Sequence, residues 1–464
     1  MRRVHLIGVC GTAMATLAAL LKQRGWTVSG SDEHVYPPMS DFLAAEGITT
    51  LEGYSAAHIT ADLDLVVVGN AISRGNPEIE AVLDRRVRYA SLPETLRDQF
   101  LWDATSIVIA GTHGKTTTTS MAGWLLTAGG ADPTVLIGGI ARNFGASGSS
   151  YRLGGGPAFV IEGDEYDSAF FDKTAKFLKY LPQVAVINNI EFDHADIYAD
   201  LDAVRLAFRR LVNLVPAGGL TLIGSDSPEA RALVPLARSA VQTFGLEPGA
   251  DWHATGVRVE AGGTRFAVAH DGRAFGEFRM AMIGEHNLRN ALAAIAVGAH
   301  SGLTAGAMAE GLASFAGVKR RLEVVGVKRG VTVYDDFAHH PTAVDETLAA
   351  MRAAHPGRRL WAVFEPRSAS SCRRVFQEAF ARAFLKADEV LLASVYRGTL
   401  PDAERLSESA LVAAVNDGGG RARHVPTVDE IVALLSREGA EGDLVVIMSN
   451  GGFGGIHRRL LEAL

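Results

Sequence analysis

The sequence predicts an α/β protein built from three nucleotide-binding units in series, and three observations carry that prediction. At 464 residues the chain is too long for one ordinary core, and about 150 residues per domain gives roughly three. Short β-branched runs alternate with helical patterns along the chain, as parallel sheets with crossover helices require. One of these runs, Ile107-Val108-Ile109, leads directly into the glycine-rich stretch AGTHGKTTTTS, Ala110 to Ser120.

Composition narrows the class. A hydrophobic content of 48%, 21% charged residues and a net charge of −7 describe a globular chain without the basic footprint of a nucleic-acid binder. Its two cysteines, Cys10 and Cys372, cannot form a disulfide framework and lack metal-ligand spacing, so a reducing cytoplasm is the expected compartment. The opening MRRVHLIGVCGTAMATLAALL imitates a secretory leader, but Gly8, Gly11 and Thr12 break its apolar run and suit a strand, turn and helix better. No stretch reaches the roughly 18 apolar residues of a membrane span, so no membrane insertion is expected.

The first unit reads as a βαβ beginning: a short strand, Gly8 and Gly11, a helix, and a strand Thr27–Ser29 ending at Gly30-Ser31-Asp32. A dinucleotide fingerprint would want glycines where Cys10 and Ala13 stand. The pattern therefore favours a nucleotide diphosphate at the helix N-terminus over a nicotinamide cofactor. Asp32 suits either a ribose or a capping role. Further strands are expected at Leu65–Val68 and around Tyr89.

The second unit opens with the phosphate loop. Gly111 and Gly114 allow backbone N–H groups to approach phosphates, Lys115 can reach β and γ oxygens, and Thr116 offers a hydroxyl to Mg²⁺ where the helix through Met121–Leu126 begins. The strict motif would put glycine at position 109, where this chain has isoleucine. Strands are expected at Ala158–Ile161, Val184–Ile187 and Leu220–Ile223. The first two end in Glu162-Gly163-Asp164-Glu165 and in Asn188-Asn189-Ile190-Glu191-Phe192-Asp193-His194. Ligands of open α/β sheets lie beyond the carboxyl ends of strands, so these acids could hold Mg²⁺ against phosphates at Lys115, although each also suits a helix cap.

The third unit starts near Gly317-Val318-Lys319-Arg320-Arg321, with strands expected at Val331–Tyr334, Leu360–Phe364, Val390–Ala393 and Leu444–Met448 and a helix over Val375–Leu385. Its first strand ends in Asp335-Asp336-Phe337-Ala338-His339-His340-Pro341. This histidine pair has no zinc-motif spacing and suits hydrogen bonding to nucleotide or substrate. Arg367, followed by Ser368, Ser370 and Ser371 at a strand end, presents a guanidinium fork matched to carboxylates.

Together these motifs resemble the Mur ligases, ATP-dependent amide-forming enzymes of peptidoglycan synthesis, over essentially the whole chain. The family's shortened phosphate loop is similar to Gly111-Thr112-His113-Gly114-Lys115-Thr116-Thr117, which accounts for the missed strict motif. The resemblance implies ATP and Mg²⁺ as cofactors. It implies Glu162, or Glu165 in its place, as the metal carboxylate, with His194 and Thr116 as further ligands. It implies Asn287 and Asn290 of Gly-Glu-His-Asn-Leu-Arg-Asn at the adenine, Arg321 at the hinge, and Asp336 with His339 at the ribose. Its fold would be a Rossmann-like UDP-sugar domain over 1–103, a central P-loop ATPase domain over 104–317, and a Rossmann-like domain over 318–464 that receives the amine. Gly8, Cys10, Gly11, Thr12, Ser31 and Asp32 would face the UDP-sugar. No lysine matches the carbamoylated residue of some members.

Within the family, Gly-x-Cys-Gly-Thr-x-Met, the following Gly-Ser-Asp with Tyr36-Pro37-Pro38-Met39-Ser40, Phe171–Phe177 and Phe364–Ser368 are most similar to the branch that uses a murein tripeptide. The implied substrates are UDP-N-acetylmuramate and L-alanyl-γ-D-glutamyl-meso-diaminopimelate, joined in peptidoglycan recycling. Free L-alanine as acceptor is the alternative, and a non-catalytic nucleotide-binding module is the rival from another class.

Overall fold

A computed structural model describes residues 2–36, 39–260, 262–396 and 400–464. Pro37 and Pro38 of the expected substrate motif lie outside the described residues. The described residues form three large sheets in succession, each with a parallel centre and with helices packed around it, and a small antiparallel pair, Asp167–Ala169 with Asp172–Ala175. The central strands read as continuous apolar runs, LVVV at Leu65–Val68, VAVI at Val184–Ile187 and LVVIM at Leu444–Met448, and every residue in them is buried. This is the pattern of strands covered on both faces.

The first sheet has five parallel strands in the order Thr49–Glu52, Thr27–Asp32, Arg3–Ile7, Leu65–Val68, Tyr89–Ser91. The second strand runs three residues beyond the expected end. Its extension is fixed by packing: the carbonyl of Ser31 accepts the N–H groups of Gly8 and Val9 at 2.8 and 3.0 Å. A Cβ at position 30 would stand 2.5 Å from Cβ of Val9, so only glycine lets the turn after the first strand close over it.

The middle sheet places Thr105–Ala110 between parallel neighbours Val184–Ile187 and Ala158–Glu162. It is extended at one edge by three strands that the sequence did not suggest, Trp252–Glu260, Gly263–His270 and Arg273–Met280, paired antiparallel. Their residues are largely half-exposed or exposed, so the apolar signal of a buried strand is missing. The third sheet has the order Glu323–Lys328, Val331–Asp336, Leu444–Met448, Leu360–Phe364, Glu389–Leu392, Ala422–His424, antiparallel only at its first strand. The expected Val390–Ala393 is shifted by one residue, and the expected helix over Val375–Leu385 is a 3₁₀ turn, Arg374–Phe376, followed by a helix, Gln377–Phe384.

The second and third sheets are joined by residues that pair with the strand Thr134–Ala141. The Arg142 N–H donates to the Gly317 carbonyl at 3.0 Å and the Lys319 N–H to the Ile140 carbonyl at 2.9 Å, with a single antiparallel bridge between Ala141 and Val318. Among the described residues no helix is long and apolar enough to cross a membrane.

Candidate active site

Three strand ends meet at one edge of the middle sheet, and the loop after Thr105–Ala110 is tied to its neighbour there. The Thr112 N–H donates to the Asn189 carbonyl at 3.0 Å, the His113 N–H to Asn189 Oδ1 at 2.7 Å, and Asn188 Nδ2 to the His113 carbonyl at 3.2 Å. Gly111 and Gly114 have φ of +134° and +79°. A Cβ on Gly114 would come within 2.3 Å of Asn290 Oδ1. The loop thus needs glycine for its conformation and for its close approach to Asn290. Helix Lys115–Ala128 then starts with no side-chain cap, leaving its first N–H groups for an anion.

The four residues expected at a metal fall into two pairs. Thr116 Oγ1 donates to Glu162 Oε1 at 2.9 Å, and the Gly138 N–H donates to Glu162 Oε2 at 2.7 Å. Glu162 and His194 both line the main cavity, whereas Glu165 lies behind it, buried, ion-paired with Lys115 at 2.8 Å and bonded to His194 Nε2 at 2.8 Å. Lys115 Nζ also donates to the carbonyls of Gly111 and Thr112, at 2.7 and 3.1 Å. Burial alone would lower the Lys115 pKa, but the Glu165 carboxylate beside it raises it. Burial would raise that of Glu165, and Lys115 and His194 hold it down. Glu162 is pushed up by burial, against the pull of Lys115. His194 has φ of +54°, an unusual conformation for a non-glycine residue that recurs at functional sites.

This corner opens into a cavity of about 820 Å³ lined from all three sheets. The first contributes Thr12, the middle one the phosphate loop with Asn287 and Asn290, and the third Asp336 and His339. Arg321 reaches across, its Nη2 3.4 Å from Thr116 Oγ1 and its guanidinium 5.1 Å from the Phe337 ring centroid. Asp336 is buried. Its Oδ2 accepts the Leu322 N–H at 2.7 Å and its Oδ1 the Ala338 N–H at 2.8 Å, so it pins the chain that carries Arg321. Asn290 accepts from Thr118 Oγ1 at 3.0 Å, and Asn287 donates to the Ile283 carbonyl at 2.8 Å. His339 Nδ1 stands 3.0 Å from the Phe337 carbonyl.

Other expected contacts are placed differently. Ser31 is fully buried and donates its hydroxyl to Glu78, and Asp32 accepts the Cys10 N–H at 2.8 Å, so both support the first turn from behind. Gly8 packs against Ile72, whereas Gly11 and Thr12 are exposed at the start of helix Thr12–Gln23, which has no side-chain cap. Arg367 is not among the cavity-lining residues. Its guanidinium lies 3.8 Å over the Tyr396 ring and 3.6 Å from Glu365 Oε1. The cavity also includes Asp164, one of the acids expected near a metal, ion-paired at 2.7 Å with Lys176, whose place at the site no motif announced. Lys176 follows the short strand Asp172–Ala175, and only the return of that strand against Asp167–Ala169 brings it to the site.

Comparison with known proteins gives this geometry a family. The Mur ligase catalytic domain matches residues 3–100, the Mur ligase middle domain 109–298, and the glutamate ligase domain of the Mur ligases 320–451. The chain is 41% identical over 465 residues to a Haemophilus influenzae protein and 42% identical over 463 residues to one from Escherichia coli, each named UDP-N-acetylmuramate–L-alanyl-γ-D-glutamyl-meso-2,6-diaminoheptandioate ligase. The alignments cover 100% of this chain and 99% and 98% of those proteins. The crystal structure of a murein peptide ligase from Psychrobacter arcticus superposes with a TM-score of 0.73 at 37% identity, covering 100% of this chain and 98% of that one. With relatives this similar along its whole length, the chain belongs to the Mur ligase family.

Proposed function

We propose that the protein is an ATP-dependent ligase that joins the lactyl carboxylate of UDP-N-acetylmuramate to the α-amine of L-alanyl-γ-D-glutamyl-meso-diaminopimelate, returning a recycled peptide to cell-wall synthesis. The observation that carries this reading is the single cavity shared by an uncapped helix start in the first unit, the phosphate loop, and the Asp336 strand end. We divide the chain accordingly into domains 1–103, 104–317 and 318–464, for UDP-sugar, ATP and incoming amine. The names of the full-length relatives support the choice of substrates.

A carboxylate resists attack by an amine because it is charged and resonance-stabilised. In the first step a carboxylate oxygen bonds to the γ-phosphorus and ADP leaves, giving an acyl phosphate. In the second the amine nitrogen adds to the acyl carbon, the C–O bond to phosphate breaks, and the amide and inorganic phosphate are released with the ammonium proton. Lys115, at the helix start, is suited to the β and γ oxygens, and Arg321 faces the same corner. The donors at Thr116 and Glu162 are hard oxygens facing the cavity, a set that fits Mg²⁺, which when bound supplies charge neutralisation at the phosphates. His194 lines the same corner and is held by Glu165, which makes Glu165 a positioning residue for Lys115 and His194. Asn287 and Asn290 are suited to the adenine, His339 to the nucleotide, and Gly11 and Thr12 to the uridine diphosphate.

Glu162→Ala is expected to raise the Mg²⁺ concentration needed for half-maximal turnover, whereas Glu165→Ala should lower the rate with a smaller change in that concentration. A magnesium titration of both variants separates the two roles, and the opposite ranking would exchange them.

The acceptor is tested by mass spectrometry of the products from ATP, Mg²⁺, UDP-N-acetylmuramate and either tripeptide or L-alanine. Tripeptide product is expected, and a preference for L-alanine would replace this reading with the alanine-adding one. Arg367, held flat against Tyr396 outside the nucleotide cavity, is suited to a distal carboxylate of the peptide. Arg367→Ala is therefore expected to raise the KM for tripeptide far more than that for any residual use of L-alanine. Equal losses would remove Arg367 from acceptor selection.

A further inference from the structure

The phosphate loop meets the third sheet through a cluster to which the mechanism above gives no step. We propose that His113, Glu191 and His340 form a binding site for a borderline divalent ion such as Zn²⁺, separate from the Mg²⁺ position at Thr116 and Glu162. One potential ligand atom from each of the three lies within 4.8 Å of the other two. Glu191 Oε2 is 3.4 Å from His113 Nε2 and 3.6 Å from His340 Nδ1. Both distances exceed those of good hydrogen bonds, which end at about 3.2 Å. They are near the ligand-to-ligand edge of about 3.4 Å that bonds of about 2.0–2.2 Å around a tetrahedral zinc produce.

The surroundings favour the same occupant. His113 Nε2 is a buried nitrogen with no hydrogen-bond partner among the described residues. His340 Nε2 stands 3.2 Å from the Phe192 carbonyl, so that nitrogen carries the proton and Nδ1, 3.6 Å from Glu191 Oε2, is unprotonated. A backbone carbonyl on the far ring nitrogen is the usual outer partner of a metal-bound imidazole. The Thr342 N–H approaches the same Nδ1 only at 3.4 Å, while the Thr342 hydroxyl donates to Glu191 Oε2 at 2.6 Å and orients it. Two imidazoles and one carboxylate select zinc-like ions over magnesium and leave a fourth position for water. Glu191 is 35% exposed, which gives an ion a way in.

The three ligands come from three places: the phosphate loop, the segment after Val184–Ile187, and the N-cap of helix Pro341–Ala354. An ion there would tie the third unit to the phosphate loop.

The test uses the full chain without nucleotide, titrated with Zn²⁺ against a chromophoric chelator and with Co²⁺ followed by visible absorption. One equivalent is expected to bind, with a four-coordinate cobalt spectrum. His340→Asn, which keeps an acceptor for the Thr342 N–H, and Glu191→Gln should each weaken binding by about 100-fold or more, beyond the roughly 10–100-fold that losing an outer partner costs. His194→Ala should leave it unchanged, and circular dichroism confirms that each variant is folded. No stoichiometric ion in the parent protein overturns the proposal. So does binding that survives His340→Asn and Glu191→Gln but disappears in His194→Ala.

Discussion

Lys115→Ala is expected to fold and to lose ligation by about 10²–10³ in rate, the scale set by removing one preorganised donor from developing charge. The fold should survive because the loop keeps its anchors on Asn188 and Asn189 and Glu165 Oε1 keeps its bond to His194 Nε2 at 2.8 Å, while the buried Glu165 carboxyl, no longer held down by Lys115, takes up a proton more readily. The structure also specifies how the loss should divide. In the proposed mechanism Lys115 would contact phosphate oxygens whose charge shifts during transfer, so kcat should fall with little change in the KM for the tripeptide, which is expected at the third unit. Steady-state ADP release with both substrates present measures this. Near-normal turnover in a folded variant would remove the loop from phosphoryl transfer.

The largest effect on stability is expected at Glu78, far from the cavity. This carboxylate is fully buried in the first unit, where Oε1 pairs with His58 Nδ1 at 2.6 Å and accepts the Ser55 N–H at 3.2 Å, and Oε2 accepts the Ser31 hydroxyl at 2.6 Å. His5 Nε2 lies 3.4 Å away. Removing one member of such a set strands the others, and Glu78→Ala should cost about 3–5 kcal/mol. Amide exchange in strands Arg3–Ile7 and Thr27–Asp32 should then quicken by about two to three and a half orders of magnitude, since about 1.4 kcal/mol is a factor of ten. Burial pushes the Glu78 carboxyl up, but the bonds from His5, Ser31 and His58 outweigh it and its pKa lies below 4.5. The ionised form is thus favoured by folding. Its contribution is complete above pH 4.5 and is lost as the pH falls through the lowered value. The gap between the parent and Glu78→Gln should therefore narrow on acidification, and a gap that widened would contradict this network.

What could be read from the sequence followed from how local each signal was. The phosphate loop was legible because strand, glycines, lysine and helix are contiguous, and Leu65–Val68, Val184–Ile187, Leu360–Phe364 and Leu444–Met448 were legible because strands buried on both faces are unbroken apolar runs. The different surroundings of Glu162 and Glu165 were not, because they depend on where one strand stops. Glu162 is the last residue of Ala158–Glu162 and points at Thr116, while Glu165 lies past the turn and reaches Lys115 and His194 from behind. Ser31 was assigned to the substrate from its neighbours, yet its partner is Glu78, on a helix that nothing near position 31 announces. His340 is a second case, since its ring meets residues from the phosphate loop and from the segment after Val184–Ile187, contacts that nothing near position 340 announces.

The pairing of Gly317–Lys319 with Ile140–Arg142 makes the junction of the second and third sheets a gear as well as a pivot. Ile140 is the next residue but one after Gly138, whose N–H holds Glu162 Oε2, and Gly139 between them lies under Thr116 so closely that a Cβ there would stand 2.8 Å from its Cγ2. Any swing of the last unit about this junction is geared within two peptide units to the carboxylate and hydroxyl at the phosphate corner. Arg321, on the outgoing side of the same junction, stands 3.4 Å from Thr116 Oγ1 across the gap. A rotation of the third unit about this junction would therefore shift Gly138, Thr116 and Arg321 together, and none of the three could leave the phosphate corner alone.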